Sequence, residues 1–178
     1  MPFNMLVVSC YHQGTSFHDS GDSPKISIAP KRDIEKIVFF RIDDSGKIQT
    51  PFRQYFSMNR DNEKICDLLI FYKNLKTQKD YLILAETKGE EFEEAADQII
   101  NTYKKMTKNH FFCDNSHCQN LIIRACCVSK KMNKYANTDA KKAKKKIIDT
   151  IKIDKNDCDF VDPNDFIRFL RGEVVITR

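Results

Sequence analysis

The sequence has little glycine or proline, no long apolar run and no evident secretory signal. Only 5 Gly and 5 Pro occur among 178 residues, which argues against disorder or low complexity over most of the length. No apolar run approaches the roughly 20 residues that a membrane-spanning helix needs. The opening segment, MPFNMLVVSCYH, has neither the basic start nor the small-residue cleavage site of a secretory signal. We therefore expect a soluble cytoplasmic protein with no membrane partner.

The cysteines do not form an evident disulfide framework. There are 7, an odd number, scattered at positions 10, 66, 113, 118, 126, 127 and 158, so buried thiols of a reducing compartment are expected. A zinc site made of His110, Cys113, His117 and Cys118 is the alternative. Structural zinc sites usually space their paired ligands two to four residues apart, whereas His117 and Cys118 are adjacent. A loop is the favoured interpretation of this segment.

Hydrophobic residues make up 41% and charged residues 31% of the chain, which suits one globular domain over residues 1–178. We predict a core over about 33–129 and a basic, helical C-terminal extension over about 130–178. Residues 1–100 hold 13 Lys and Arg against 16 Asp and Glu, whereas residues 101–178 hold 17 against 9. The positive charge is therefore concentrated in the second part of the chain.

Eight of these basic residues lie between positions 130 and 146, where Asp139 is the one acid. They are Lys130, Lys131, Lys134, Lys141, Lys142, Lys144, Lys145 and Lys146. A local field of this sign favours a polyanionic partner, with nucleic acid ahead of an anionic membrane. A solvated, lysine-rich helix face is the alternative.

Four apolar runs predict strands of one sheet. KIVFFRI favours a strand in a hairpin that turns at DDSG, although Asp33 is also suited to cap a helix there. ICDLLIFY and DYLILAE predict an antiparallel pair in the middle of the sheet, and NLIIRACCVS predicts the fourth strand. A fifth, EVVIT, is a candidate edge strand near the end of the chain.

Three segments predict helices. EEFEEAADQIINTYKKM places its apolar residues at helical spacing, with acids at its start and lysines near its end, as the helix dipole prefers. Thr138 is a suitable cap for a basic helix through DAKKAKKKIIDTI. DPNDFIRFLRG predicts a short helix from about Pro163 to Gly172.

Asp67, Glu86 and Lys88 are charges in or next to the two central apolar runs. A carboxylate buried alone costs several kcal/mol, so these residues require a solvent face or a cation. Residues i and i+2 of a strand share a face, and an adjacent strand brings Asp67 beside Glu86 and Lys88. Mg²⁺ is bound by one or two carboxylates and keeps waters for a substrate phosphate. The pattern indicates metal-assisted hydrolysis, with the Thr87 backbone carbonyl as a further metal ligand; a salt-bridged patch without catalysis is the alternative.

These residues resemble the PD-(D/E)xK nuclease superfamily. Asp67 is followed after 18 residues by ETK at Glu86–Lys88, then by Gly89 and an amphipathic helix. Cys66 stands where the motif that names the family has proline. The resemblance covers about residues 33–129 and implies a restriction-endonuclease-like core, a mixed central sheet flanked by helices in the order αβββαβ. It implies Asp67 and Glu86 as ligands of Mg²⁺ or Mn²⁺ and Lys88 as the catalytic cation.

The same resemblance adds two residues and a class of partners. Members commonly carry another acid on the first core helix, for which Glu35 is the candidate, and some carry a glutamine on the helix after the lysine, which Gln98 matches. Tyr103 follows Gln98 at five residues, whereas those members have a tyrosine at four. Many members act as dimers or with a motor or targeting protein, so a homodimer or such a partner is expected.

The predicted function is metal-dependent hydrolysis of DNA phosphodiester bonds, in repair, recombination, restriction or defence against foreign DNA. One alternative is a non-catalytic nucleic-acid-binding or assembly subunit that retains the fold. Another is an RNA-directed nuclease of the same fold. The lysines of 130–146 are expected to attract the nucleic-acid backbone without reading its sequence.

Overall fold

The structure is a computed structural model that describes residues 2–19, 23–44, 50–58, 63–88, 91–109, 121–130 and 138–173. The strands are β1 (Tyr11–His12), β2 (Ser16–Phe17), β3 (Ile26–Ser27), β4 (Glu35–Arg41), β5 (Leu68–Asn74), β6 (Lys79–Thr87), β7 (Leu121–Val128) and β8 (Cys158–Val161). The helices are α1 (Pro2–Met5), α2 (Pro51–Tyr55), α3 (Phe92–Lys108), α4 (Thr138–Ile151) and α5 (Phe166–Arg171), with a π-helical turn over Leu6–Cys10 and a 3₁₀ turn over Lys155–Asp157.

Within the described residues, a six-stranded mixed sheet has the order β1-β4-β5-β6-β7-β8. β4, β5 and β6 form an antiparallel meander, and β1 pairs antiparallel with β4. After α3 the chain returns as β7, parallel to β6, and β8 pairs parallel with β7. β2 and β3 form a separate two-stranded ribbon. The predicted α/β class with a mixed central sheet flanked by helices is confirmed.

The middle parts of the central strands are apolar because both faces of the sheet are covered. Leu69, Leu82 and Leu84 belong to a hydrophobic cluster that includes the buried residues of α3 and α4. Leu68, Ile70 and Ile83 belong to a second cluster that includes residues of α5 and of the β2–β3 ribbon. Alternate residues of β5 and β6 therefore enter different cores, which explains their near-continuous hydrophobic runs.

The predicted helices are present. α3 buries Ala95, Ala96, Ile99 and other residues at helical spacing, with Glu93 and Glu94 in its first turn and two lysines in its last turn. α4 buries Ala140, Ala143, Ile147 and Ile151 and presents its lysines on the remaining faces. α5 ends at Gly172, whose φ of 73° lies in the left-handed region that favours glycine.

Some predicted elements differ from those in the structure or lie outside the part of the chain that it describes. The chain from Glu35 is strand β4, as the run KIVFFRI favoured, and not the alternative capped helix. Its antiparallel neighbours are β1 and β5, and half of the predicted turn DDSG lies outside the described residues. The predicted helical extension also contributes a strand to the central sheet, because β8 joins its edge. The candidate strand EVVIT lies outside the described residues except for Glu173. Among the described residues, no helix has both the length and the apolar character to cross a bilayer.

Candidate carboxylate site

The predicted charges meet at one end of the β5–β6 pair. Asp67 directly precedes β5, Glu86 and Thr87 end β6, and Lys88 follows. Because Leu68 pairs with Ala85 in antiparallel register, the start of β5 lies beside the end of β6. The Lys88 N–H also donates to the carbonyl of Val128, at the end of β7, over 3.1 Å. The cluster therefore lies at the carboxyl ends of the parallel strands, where ligands of open α/β sheets commonly bind.

Hydrogen bonds lock the two carboxylates together. The Asp67 N–H donates to Glu86 Oε2 over 3.1 Å, and the Thr87 N–H donates to Asp67 Oδ2 over 2.9 Å. The Thr87 hydroxyl also donates to Asp67 Oδ2. These bonds occupy one oxygen of each acid, and no partner of Asp67 Oδ1 is found among the described residues. The pair is therefore held by backbone and side-chain groups of the chain itself.

Lys88 lies between two carboxylates. Its Nζ is 3.7 Å from Glu86 Oε1 and 3.6 Å from Glu94 Oε1, on the first turn of α3. The same Glu94 oxygen accepts a hydrogen bond from Lys64. Sequence reasoning identified Lys88 but missed Glu94 and Lys64, whose link to the site appears only when α3 packs on the sheet.

Burial makes ionisation of the two acids costly. Glu86 is 1% exposed, and its burial, with the nearby charge of Asp67, raises its pKa well above the ordinary range. Burial also raises the pKa of Asp67, to about 6, against the opposing hydrogen bonds from Thr87. A bound cation would favour both ionised forms.

The pKa of Lys88 is raised. Burial acts to lower it, but the carboxylates of Glu86, Glu94 and Asp67 outweigh that effect. The pKa of Glu94 is lowered, first by its hydrogen bond from Lys64. Lys88 is therefore an ammonium ion at neutral pH, suited to stabilise negative charge and not to accept a proton.

A polar stripe on α3 fixes the segment that leads to Asp67. The amide of Gln98 donates to the Ile65 carbonyl over 3.0 Å, and the Thr102 hydroxyl accepts from the Cys66 N–H over 2.9 Å. Asn101 donates to the carbonyl of Lys64. Glu94, Gln98, Asn101 and Thr102 occupy positions i, i+4, i+7 and i+8, so they share one face of the helix. Each residue from 64 to 66 is thus tied to α3 immediately before Asp67.

Gln98, a predicted site residue, is buried and supports Asp67 indirectly. Its Nε2 binds Ile65, two residues before Asp67, and its Oε1 is buried without a hydrogen-bond partner among the described residues. Thr102, which sequence reasoning missed, is fully buried and also donates to the Gln98 carbonyl. A polar residue within the apolar face of an amphipathic helix is the signal that identifies it.

Glu35 does not join the carboxylate pair. It pairs with Asn74 at one end of β4, whereas Arg41, at the other end, pairs with Leu68 beside Asp67. Six residues of extended strand, at roughly 3.3 Å each, separate the two ends. Glu35 instead binds Arg171 through both oxygens, at 2.7 and 3.0 Å, and these bonds lower its pKa. It ties α5 to the sheet, so the acid expected from the first core helix is not Glu35.

The predicted lysine surface contains lysines in partly buried ion pairs and lysines whose side chains are exposed. Lys146 binds Asp97 at 2.7 Å, and Lys144 binds Asp159 at 3.1 Å. Lys141 and Lys145 are exposed on α4, and Lys142 is an exposed partner of Asp139 at 3.8 Å. Lys130, two residues after the end of β7, is exposed. Lys131 and Lys134 lie outside the described residues, as do all four members of the zinc alternative.

The donor set of the site consists of oxygen atoms. Among the described residues, no group of three or more His, Cys, Asp and Glu side chains is arranged to hold a metal ion. Asp67 and Glu86 are two carboxylates, which is the number that a magnesium site uses when waters and a substrate phosphate complete the coordination. The role predicted for the Thr87 carbonyl stays a prediction.

No protein-family model, curated protein or solved structure matches this chain. Functional inference therefore depends on the chain's own residues and their geometry.

Proposed function

We propose that this chain is a nuclease that uses Mg²⁺ or Mn²⁺ to hydrolyse phosphodiester bonds, with DNA favoured over RNA as the substrate. One observation carries the proposal: Asp67 and Glu86 are interlocked at the adjoining ends of β5 and β6, with the ammonium of Lys88 beside them. Lys88 can compensate only one of the two acids, and Glu86 is 1% exposed. When both acids are ionised, the remaining negative charge suits a divalent cation.

The residues present fit a hard cation. Asp67 and Glu86 would hold it, since carboxylate oxygens are the ligands that Mg²⁺ prefers and the thiols nearby are buried and protonated. Burial raises the pKa of Cys66 and of Cys127 well above the usual range, so neither supplies a thiolate. When bound, such a cation lowers the pKa of a coordinated water and stabilises charge on a phosphoryl oxygen.

The chain's own groups supply the remaining requirements of hydrolysis. Lys88, as an ammonium ion, stabilises the negative charge that develops on the phosphate oxygens. Asp67 and Glu86 keep fixed positions because Thr87 and the Asp67 N–H hold one oxygen of each. The α3 stripe keeps the chain before Asp67 from shifting. Such preorganisation matters because small displacements of catalytic groups are costly.

The topology supports a restriction-endonuclease-like core. The antiparallel meander β4–β5–β6, the helix α3 and the parallel strand β7 follow the βββαβ part of the implied order. Along this order Asp67 directly precedes the second strand of the meander, and Glu86 and Thr87 end the third, followed by Lys88. The exposed lysines of α4 suit the nucleic-acid backbone, and a dimer or a targeting partner belongs to the same proposal.

Cleavage by purified protein tests this function. Linear, circular, single-stranded and branched DNA, and matching RNA, are incubated with Mg²⁺ or Mn²⁺. We expect cutting by the wild-type chain and a rate loss of about 10²-fold or more in Lys88→Ala, because a charge-stabilising group is removed. Lys73→Ala is the matched control, since Lys73 forms a similar ion pair with Asp80 at the opposite end of β5. Cleavage by Lys88→Ala at the wild-type rate rejects the mechanism.

A second candidate is a non-catalytic nucleic-acid-binding or assembly subunit. It is favoured by the absence of a third metal-binding side chain at the pair among the described residues. Salt-sensitive DNA binding that survives Glu86→Gln, with no cutting of any substrate, would select this function over the nuclease.

A further inference from the structure

Lys64 is a second cationic side chain next to the carboxylate site. It lies three residues before Asp67, and its side chain donates to Glu94 Oε1. Lys88 contacts that same oxygen at 3.6 Å. Glu94 therefore gathers the two ammonium groups around one atom, beside the Asp67–Glu86 pair.

The backbone of Lys64 is held while its side chain remains open to solvent. Asn101 donates to the Lys64 carbonyl, and Gln98 fixes the next residue, Ile65. The side chain is 59% exposed, against 23% for Lys88. A lysine with a fixed backbone and an exposed ammonium group is suited to contact an incoming ligand, whereas the Lys88 side chain is less exposed and lies beside the acids.

Formal charge indicates the kind of ligand. When all three acids are ionised, as a bound cation favours, Asp67, Glu86 and Glu94 together with Lys64 and Lys88 give these five side chains one net negative charge. Binding of one divalent cation reverses this to one net positive charge, which matches the single negative charge of a phosphodiester. Without Lys64 the loaded cluster would be neutral, so its attraction for the backbone depends on this side chain.

We propose that Lys64 is a phosphate-contacting residue of this site, held beside Lys88 by Glu94, and that it binds the phosphate next to the one cleaved. This inference rests on the proposed function. The Lys64 side chain is 59% exposed and that of Glu94 is 25% exposed, and ion pairs open to solvent in this way are weak. Lys64 exchanges Glu94 for a phosphate oxygen without disturbing the backbone that positions Asp67.

The salt dependence of DNA binding tests this contact separately from hydrolysis. A fluorescein-labelled single-stranded DNA of about 20 nucleotides, somewhat longer than common single-strand binding sites, is titrated with the protein in buffer that contains Ca²⁺ in place of Mg²⁺. The integrity of the DNA is checked on a gel. We expect Lys64→Ala to weaken binding several-fold and to reduce the slope of log affinity against log salt by about 0.7, the loss of one contact to a single strand.

Two further variants sharpen the result. Lys73→Ala, which breaks the ion pair with Asp80 at the far end of β5, should leave the slope unchanged. Glu94→Gln removes a negative charge beside Lys64 and should tighten binding. A wild-type slope in Lys64→Ala overturns the contact even when the wild-type chain cuts DNA. A reduced slope in a chain that never cuts supports the contact while rejecting the nuclease, and absence of wild-type binding rejects both.

Discussion

At the scale of single residues, the notable feature is a pair of acids that destabilises the protein where it is ionised. Asp67 and Glu86 lie side by side in a largely buried position, and burial raises the pKa of each. Proteins commonly accept such a cost where a binding or catalytic site requires it. The stability of the metal-free chain should therefore depend on the charge of this pair.

Asp67→Asn should stabilise the metal-free protein at neutral pH. The folded pKa of Asp67, about 6, lies above its ordinary value of 3.8. Stability from this group is therefore fully present below pH 3.8 and is lost as the pH rises through about 6. The asparagine carbonyl can still accept from Thr87, so we expect a gain of about 1–3 kcal/mol at pH 7.5, measured by urea unfolding in EDTA.

The gain should shrink as the pH falls from 7.5 towards 4, because the wild-type acid becomes protonated. Asp149→Asn, on the exposed side of α4, is the control and should change stability by less than about 0.5 kcal/mol. A destabilised Asp67→Asn at pH 7.5 would mean that the ionised acid is compensated within the chain.

At the scale of elements, the site depends on how α3 packs against the segment before β5. The amphipathic pattern predicted α3, and the apolar runs predicted β5, β6 and β7. Pairing between distant strands was harder to predict: β8 joins the sheet through only four residues, Cys158–Val161. A short run next to turn residues gives too weak a periodic signal to identify a strand.

Part of the site could be predicted from the sequence. Asp67, Glu86 and Lys88 are charges within apolar runs, so their positions are unusual in sequence alone. Glu94 and Lys64 are ordinary surface residues by type, and their link to the site depends on how α3 packs against the sheet. Glu35 was selected by resemblance, and its local sequence did not decide between helix and strand; the strand moves it to the far end of the sheet.

Thr102→Val should weaken the site as well as the fold. The substitution keeps the shape but removes the acceptor of the buried Cys66 N–H. An unsatisfied buried donor costs about 1–3 kcal/mol, and the released segment should lower Mg²⁺ affinity at Asp67. Unfolding by urea and calorimetric Mg²⁺ titration measure the two effects.

Thr102→Ser keeps the hydroxyl and should recover most of the Mg²⁺ affinity. Thr107→Val is a matched control, because Thr107 donates to the Tyr103 carbonyl on the same helix but is exposed. Equal Mg²⁺ affinity in Thr102→Val and the wild-type chain would show that α3 stabilises the fold without positioning Asp67.

At the scale of the whole molecule, the charge asymmetry seen in sequence is partly neutralised by folding. The acids of α3 and β8 take Lys146 and Lys144 into ion pairs. The remaining exposed lysines of α4 carry the field that a polyanion would meet. Total lysine count therefore overstates the binding surface, and which lysines matter becomes a structural question.

The double variant Lys141→Gln with Lys145→Gln should weaken DNA binding more than Lys144→Gln with Lys146→Gln. Both remove two charges, but the second pair of lysines is already bound to Asp159 and Asp97. We expect the first variant to reduce the slope of log affinity against log salt by about 1.4–1.8, which corresponds to the loss of two phosphate contacts. Fluorescence anisotropy over a salt series measures it, and equal slopes in the two variants would assign binding to net charge alone.

Cleavage of linear DNA in Mg²⁺ by the wild-type chain, Asp67→Asn and Asp97→Asn tests the proposed site most directly. Asp97 is an exposed acid on α3 paired with Lys146, so its variant controls for loss of one negative charge. We predict Mg²⁺-dependent cutting by the wild-type and Asp97→Asn chains and a loss of about 10²-fold or more in Asp67→Asn. Cutting by Asp67→Asn at the wild-type rate, or no cutting by the wild-type chain, would contradict a nuclease centred on this carboxylate pair.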